Sequence, residues 1–263
     1  MVRRLVVNAD DFGFTRDVNA GIAEAYQRGI LTATTLMANG EAFEDAVRQA
    51  GENPGLDVGV HLVLVGMPGL PATLGDCVRA VYSGGLDVYG EFARQVRKVI
   101  GAGIRPTHLD THKHTHLLPP VLRAVCTVAE EFGIEWVRTP GDFPFAYGRK
   151  GVVSAAMRWR QWGMRREIRA AGLRHTDWFT GFSWTGAFTE KELVRLMAGL
   201  PEGVTELMCH PGNLEGELET AGTRLKGSRV LELRALTHPA VREAMEAGGV
   251  ELVGYRELTS DRS

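Results

Sequence analysis

Short β-branched runs alternate with amphipathic helical stretches from one end of this 263-residue chain to the other, and that alternation restricts the fold more than any other feature. Arg4–Asn8, Thr32–Met37, Asp57–Leu64, Pro106–Asp110, Glu135–Thr139, Trp178–Trp184, Val204–Cys209 and Val250–Tyr255 read as strands. Helical periodicity falls between them, over 16–28, 43–51, 87–100, 119–132, 151–171, 189–199 and 228–247. Gly29, Gly133 and Gly248 stand just past helix ends, and Pro119-Pro120 stands at a helix start. Strands joined through helices pair in parallel, because the crossover returns the chain to the edge it left. The expected fold is therefore α/β: a single TIM-like (β/α) barrel, incomplete or distorted, in preference to an open doubly wound sheet. In either, chemistry gathers where strands end and loops begin.

No low-complexity linker, composition break or internal repeat divides the chain, so one domain over 1–263 is expected. Thirty basic residues against 32 acidic ones, with 44% hydrophobic residues, exclude a disordered or collagen-like chain. The longest uncharged window, Val58 to Gly75, has the length of a membrane span, but it contains His61, Pro68, Pro71 and four glycines. We read it as no span. The first residues turn polar too soon for a signal peptide, and the odd, scattered Cys77, Cys126 and Cys209 read as reduced thiols. A cytoplasmic location follows as the expectation.

Four of the eight histidines fall within nine residues, in His108-Leu109-Asp110-Thr111-His112-Lys113-His114-Thr115-His116. In an extended segment His108, Asp110 and His112 would point the same way, gathering imidazoles and a carboxylate in one mouth. The plainer reading is a solvated histidine-rich loop or packed core histidines. Asn8-Ala9-Asp10-Asp11-Phe12-Gly13 follows the apolar run Leu5-Val6-Val7. Acids at the end of a buried strand are costly unless they bind a cation, accept hydrogen bonds or act as a base, although Asp and Asn also form ordinary turns. Adjacent strand residues face opposite ways, so Asp10 and Asp11 are expected to have different roles. His61, in Gly59-Val60-His61-Leu62, would on its own be a hydrogen-bonded core residue. His210, in Met208-Cys209-His210-Pro211, closes a late strand and would share a rim with the others. Imidazoles with a carboxylate suit zinc and other transition metals better than an all-oxygen site would.

These four segments, in order along nearly the whole chain, resemble the YdjC-like carbohydrate deacetylase family, which includes diacetylchitobiose deacetylases. The resemblance implies a variant (β/α) barrel and a divalent metal, zinc by ligand type with magnesium also allowed, held by Asp11, His61 and His112. It further implies Asp10 as catalytic base and His210 as acid or oxyanion stabiliser, in a reaction that cleaves acetate from an N-acetylated sugar. His108, His114 and His116 are left without a role, and a homodimer is expected. One hopanoid-associated subgroup is similar in Gly59–Val65, in His175-Thr176-Asp177-Trp178 and in Trp184-Thr185-Gly186, which would imply a lipid-linked sugar.

Eight basic residues and one acid, Glu167, lie between 149 and 174, giving +7, whereas the other 22 basic and 31 acidic residues leave −9. A basic helix carrying Met157, Trp159, Trp162 and Met164 either lies on an anionic membrane or is an ordinary barrel helix with its aromatic residues inward. Nucleic acid is not an expected partner, since net charge is −2 and no binding motif is present. Three rival functions share the ligand chemistry: a glycosidase with a carboxylate pair, a metal-dependent phosphoesterase, and a sugar- or metal-binding protein without catalysis. Adjacent acids suit the first poorly, because glycosidase carboxyls stand roughly 5–10 Å apart across a sugar.

Overall fold

A computed structural model describes residues 2–142 and 151–260, with backbone alone for 151–158. Its strands are β1 (Arg3–Phe12), β2 (Ala33–Leu36), β3 (Asp57–Leu62), β4 (His108–Thr111), β5 (Trp136–Val137), β6 (Trp178–Thr180), β7 (Gly203–Cys209) and β8 (Val250–Leu252). The helices are α1 (Arg16–Arg28), α2 (Phe43–Glu52), α3 (Leu74–Ser83), α4 (Val88–Gly101), α5 (Pro119–Phe132), α6 (Gly151–Ala170), α7 (Glu190–Gly199), α8 (Glu217–Thr220), α9 (Gly227–Leu236), α10 (Pro239–Ala247) and α11 (Tyr255–Ser260).

All the strand pairings are parallel, in the order β5-β4-β3-β2-β1-β7-β6, with the short β8 beside the start of β1. Two isolated bridges, Trp136 with Arg174 and Asp142 with Phe179, join the outer edges. The result is a seven-strand ring with one irregular seam, the distorted barrel that the alternation predicts. Leu5, Val7 and Ala9 of β1 face the helices and belong to the main apolar core. Their neighbours alternate into the ring, where Val6, Ala33, Trp136, Tyr255 and Leu258 form a small separate plug. Above that plug the interior turns polar. Small residues make room for it: a Cβ on Gly59 would stand 2.5 Å from the His108 carbonyl and 2.7 Å from its ring.

Three local expectations are revised. The helix read over 228–247 is two, α9 and α10, because Pro239 starts a new helix capped by His238. The strand read over Trp178–Trp184 stops at Thr180, since Gly181 has φ 115° and passes so close to Met208 that a Cβ would lie 2.2 Å from its carbonyl oxygen. The histidine run is extended only through Thr111; His112–Leu117 is a tight 3-10 turn with Lys113 and His114 both left-handed.

Candidate active site

Strand ends on one rim of the ring bring Asp10 and Asp11 of β1, His61 of β3, Asp110 of β4 and His210 after β7 together, with His112 opening the turn after β4. The opposed orientation expected for Asp10 and Asp11 does not occur. Between Ala9 and Phe12, β1 takes three steps against two on β2, and Asp11 sits in that irregularity with φ 70°. The bulge turns both carboxylates into the ring.

Each carboxylate nevertheless has its own partners. Asp10 accepts from Arg138 Nη1 and Nη2 at 2.8 and 2.7 Å, and from Asn8 Nδ2 at 3.1 Å. Asp11 Oδ2 accepts from Arg229 Nη2 at 2.5 Å. Burial opposes the charge on both acids, but Arg138 beside Asp10 and Arg229 beside Asp11 hold both well below the usual carboxylate range. Asp11 Oδ1 is buried and accepts no hydrogen bond, although it lies 3.5 Å from His61 Nε2 and 3.3 Å from His112 Nδ1.

His61 is oriented from behind. Its Nδ1–H donates to Asp110 Oδ1 at 2.7 Å, which leaves the Nε2 lone pair facing Asp11 and His112. Burial works against an imidazolium there, yet Asp110, with Asp10 and Asp11 behind it, raises His61 to about 9. Ligand atoms of Asp11, His61 and His112 lie within 4.8 Å of one another. A second grouping, Asp10, His61 and Asp110, is equally tight. Arg138 already bridges those two acids, with Nη1 2.5 Å from Asp110 Oδ2, so only the first set has an unsatisfied oxygen. Around the rim, four buried carboxylates (Asp10, Asp11, Asp110 and Glu206) face two guanidiniums, Arg138 and Arg229. That donor set and that excess of negative charge fit a divalent cation.

His210 stands across from Asp10, its Nε2 3.9 Å from Asp10 Oδ2. Burial outweighs the nearby Asp10 and Asp11 and lowers it to about 4, so its ring is neutral at pH 7. Its backbone N–H donates to Glu232 Oε2 at 2.5 Å, and the other oxygen of Glu232 accepts from Gly186 N at 3.0 Å. Glu232 and Arg229 lie one turn apart on α9.

The histidines without an expected role divide into two kinds. His108 and His116 are internal struts. His108 donates to Asn8 Oδ1 at 2.8 Å and stacks on Tyr255 at 4.0 Å, one layer below the rim. His116 accepts from Thr111 Oγ1 at 2.5 Å and donates to the Arg138 carbonyl at 3.1 Å, holding Arg138 in register. His114 instead packs against Phe179 and Phe182, with centroids 6.2 and 5.6 Å away.

His116 supplies a measurable consequence. Burial, then Arg138, lowers it from 6.5 to about 3, so the unfolded chain takes up a proton below pH 6.5 that the folded chain refuses. Stability therefore falls as pH falls through that window, by up to about 1.4 kcal/mol per pH unit for this one group. His116→Gln keeps a donor and an acceptor without a titration, and urea midpoints taken from pH 7 to 5 should decline less steeply for it. Equal slopes would show that His116 is not held neutral.

Arg138, Glu206, Arg229 and Glu232 were not singled out from the sequence. Arg138 and Glu206 had a signal, being lone charges in otherwise apolar strands. Arg229 and Glu232 had none, because on an amphipathic helix they look like a solvated face.

A parallel barrel whose rim gathers one carboxylate and two imidazoles around an unsatisfied oxygen defines a class of hydrolase-like, cation-ready sites. Comparison with known proteins narrows it. The model of the YdjC-like protein family matches residues 4–247, and the chain belongs to that family. A carbohydrate deacetylase of Geobacillus stearothermophilus is 33% identical, with 98% of this chain and 99% of that protein covered. A chitooligosaccharide deacetylase of Salmonella typhimurium is 31% identical, with 95% and 96% covered. Among solved structures, a protein of Enterococcus faecalis described as a candidate for cellobiose-phosphate cleavage superposes with a TM-score of 0.77 at 24% identity, over 98% of this chain and 99% of that one. A lactam utilization protein of Thermus thermophilus shares the fold more loosely, with a TM-score of 0.54 at 18% identity over 95% and 98%.

Proposed function

We propose that this protein is a metal-dependent carbohydrate deacetylase, a single-domain cytoplasmic enzyme that hydrolyses the N-acetyl group of an amino sugar to acetate and a free amine. The observation that carries the reading is the buried, unsatisfied Asp11 Oδ1 between His61 Nε2 and His112 Nδ1, beside a second carboxylate engaged elsewhere. Full-length similarity to relatives named carbohydrate and chitooligosaccharide deacetylase supports the substrate class. The buried thiols of Cys77, Cys126 and Cys209 suit a reducing compartment.

Asp11, His61 and His112 would hold the ion, zinc by their two-nitrogen, one-oxygen character, with magnesium the alternative. A divalent cation in that place lowers the pKa of water and draws charge from an acetyl carbonyl. Asp10 stays ionised under the grip of Arg138 and takes a proton at Oδ2, the oxygen turned toward His210. The same grip makes the protonated acid short-lived, which suits a group that must pass its proton to a leaving amine. His210, neutral and held at its backbone by Glu232, offers a ring N–H to a developing oxyanion.

The test is acetate release from a panel of N-acetylated sugars, free and lipid-linked, before and after chelation and metal add-back. Chelation should abolish release, and zinc or magnesium should restore it. Asp11→Ala and His112→Ala should each lose bound metal by elemental analysis together with release. Chelator-resistant hydrolysis, or full activity in either variant, would overturn the assignment; sugar binding without acetate would make the protein a lectin-like relative.

A further inference from the structure

The outer face of α6 carries a feature that the rim does not use. Trp159 and Trp162 are 81% and 67% exposed, while Met164 and Ile168 of the same helix are fully buried. The inward-aromatic reading thus fails for both tryptophans, and Met157 lies outside the described side chains. With Arg166 and Arg169, also exposed, the two indoles fall at i, i+3, i+7 and i+10 and form one outward stripe. The Arg166 guanidinium lies 5.2 Å from the Trp162 ring. Glu167, the one acid of the basic segment, is engaged by Arg160 at 3.0 Å and does not break the stripe. Arg149 and Lys150 lie outside the described residues, as does the Arg158 side chain.

The position of this stripe is fixed relative to the mouth. Between the two tryptophans, Arg160 Nε donates to the Leu117 carbonyl at 2.9 Å and Gln161 Nε2 to the Thr139 carbonyl at 2.7 Å. Leu117 ends the turn that begins at His112, and Thr139 follows Arg138. The indoles therefore stand outside the same end of the ring as the candidate active site.

We propose that this face of α6 docks the protein on an anionic phospholipid bilayer, with Trp159 and Trp162 at the interface and Arg166 and Arg169 against the headgroups. Charge complementarity selects that occupant. A stripe with two indoles, two guanidiniums and no acid matches a surface that is negative throughout with hydrocarbon beneath. The +7 of residues 149–174 against −9 elsewhere would also turn this side, rather than another, toward such a surface. The proposal goes beyond the deacetylase reading and does not depend on it, since its test uses no activity.

The full chain is sedimented with phosphatidylcholine vesicles with and without phosphatidylglycerol, at low and high salt, while tryptophan emission is recorded. Binding is expected only with the anionic lipid, with a blue shift, and it should weaken at high salt. The double variants Trp159→Ala/Trp162→Ala and Arg166→Glu/Arg169→Glu should each lower partitioning on the order of tenfold. Their melting should stay near wild type, because the altered side chains face solvent. Absent binding at low salt, or undiminished binding in both variants, overturns the proposal. So does a dimer in light scattering that the tryptophan variant dissociates, since the face would then join two copies of the chain.

Discussion

Asp10→Asn is expected to abolish acetate release while leaving metal content unchanged. The substitution keeps shape and removes the group that takes the proton, and loss of a general base lowers turnover by roughly 10²–10⁴-fold. The amide oxygen can still accept from Arg138 Nη2 and Asn8 Nδ2, whereas its nitrogen meets Arg138 Nη1, which retains Asp110 as acceptor. Damage to the fold is therefore modest. Asp11, His61 and His112 are untouched, so elemental analysis should return the wild-type ratio of metal to chain. The loss should fall on kcat with KM nearly constant, because Asp10 acts on the reacting atoms rather than on the sugar. Turnover near wild type would remove Asp10 from the base role, and loss of metal along with it would mean that Asp10 is itself a ligand.

Arg138→Met should be the most destabilising single change in the protein. One guanidinium, 1% exposed, satisfies Asp10, Asp110 and Glu206 simultaneously, at distances of 2.5–2.8 Å. Methionine fills much of the volume but leaves three buried acids facing one another without a cation. Removing one partner of a buried ion pair costs about 3–5 kcal/mol, and here more than one pair is lost. For a chain of this size that lowers the melting temperature by roughly 6–20 °C. Arg138→Lys should recover only part of it, because an ammonium lacks the planar fork that reaches three carboxylates. The penalty should shrink as the pH is lowered, when the acids can take up protons. A melting temperature for Arg138→Met within a degree or two of wild type would show that these acids are not held as charges.

Much of the architecture could be read from the residues because strand cores and helix faces are local patterns. Each of the eight expected strands exists, and the rim that joins Asp11, His61, His112 and His210 follows from their positions at the ends of parallel strands. What failed was also physical. The orientation of Asp11 depends on a one-residue bulge against β2, and β-sheet periodicity says nothing about where register slips. The turn at Lys113 and His114 needs two left-handed residues, for which a histidine-rich run gives no warning. Arg138 and Glu206 are 68 positions apart and become intelligible only once β5 and β7 face each other across the ring. The expected membrane or inward reading of Trp159 could not be decided from periodicity, because both choices place aromatics at helical spacing.

The pairing of Arg229 with Glu232 on α9 has a mechanical consequence. The first grips the carboxylate of Asp11, and the second grips the main chain of His210, from adjacent turns of one rigid rod. Any sliding or tilting of that rod carries the cation-facing and oxyanion-facing halves in step, as the jaws of a caliper move on a common beam. Thermal breathing of the barrel can thus widen the entrance while the gap between the two halves stays constant.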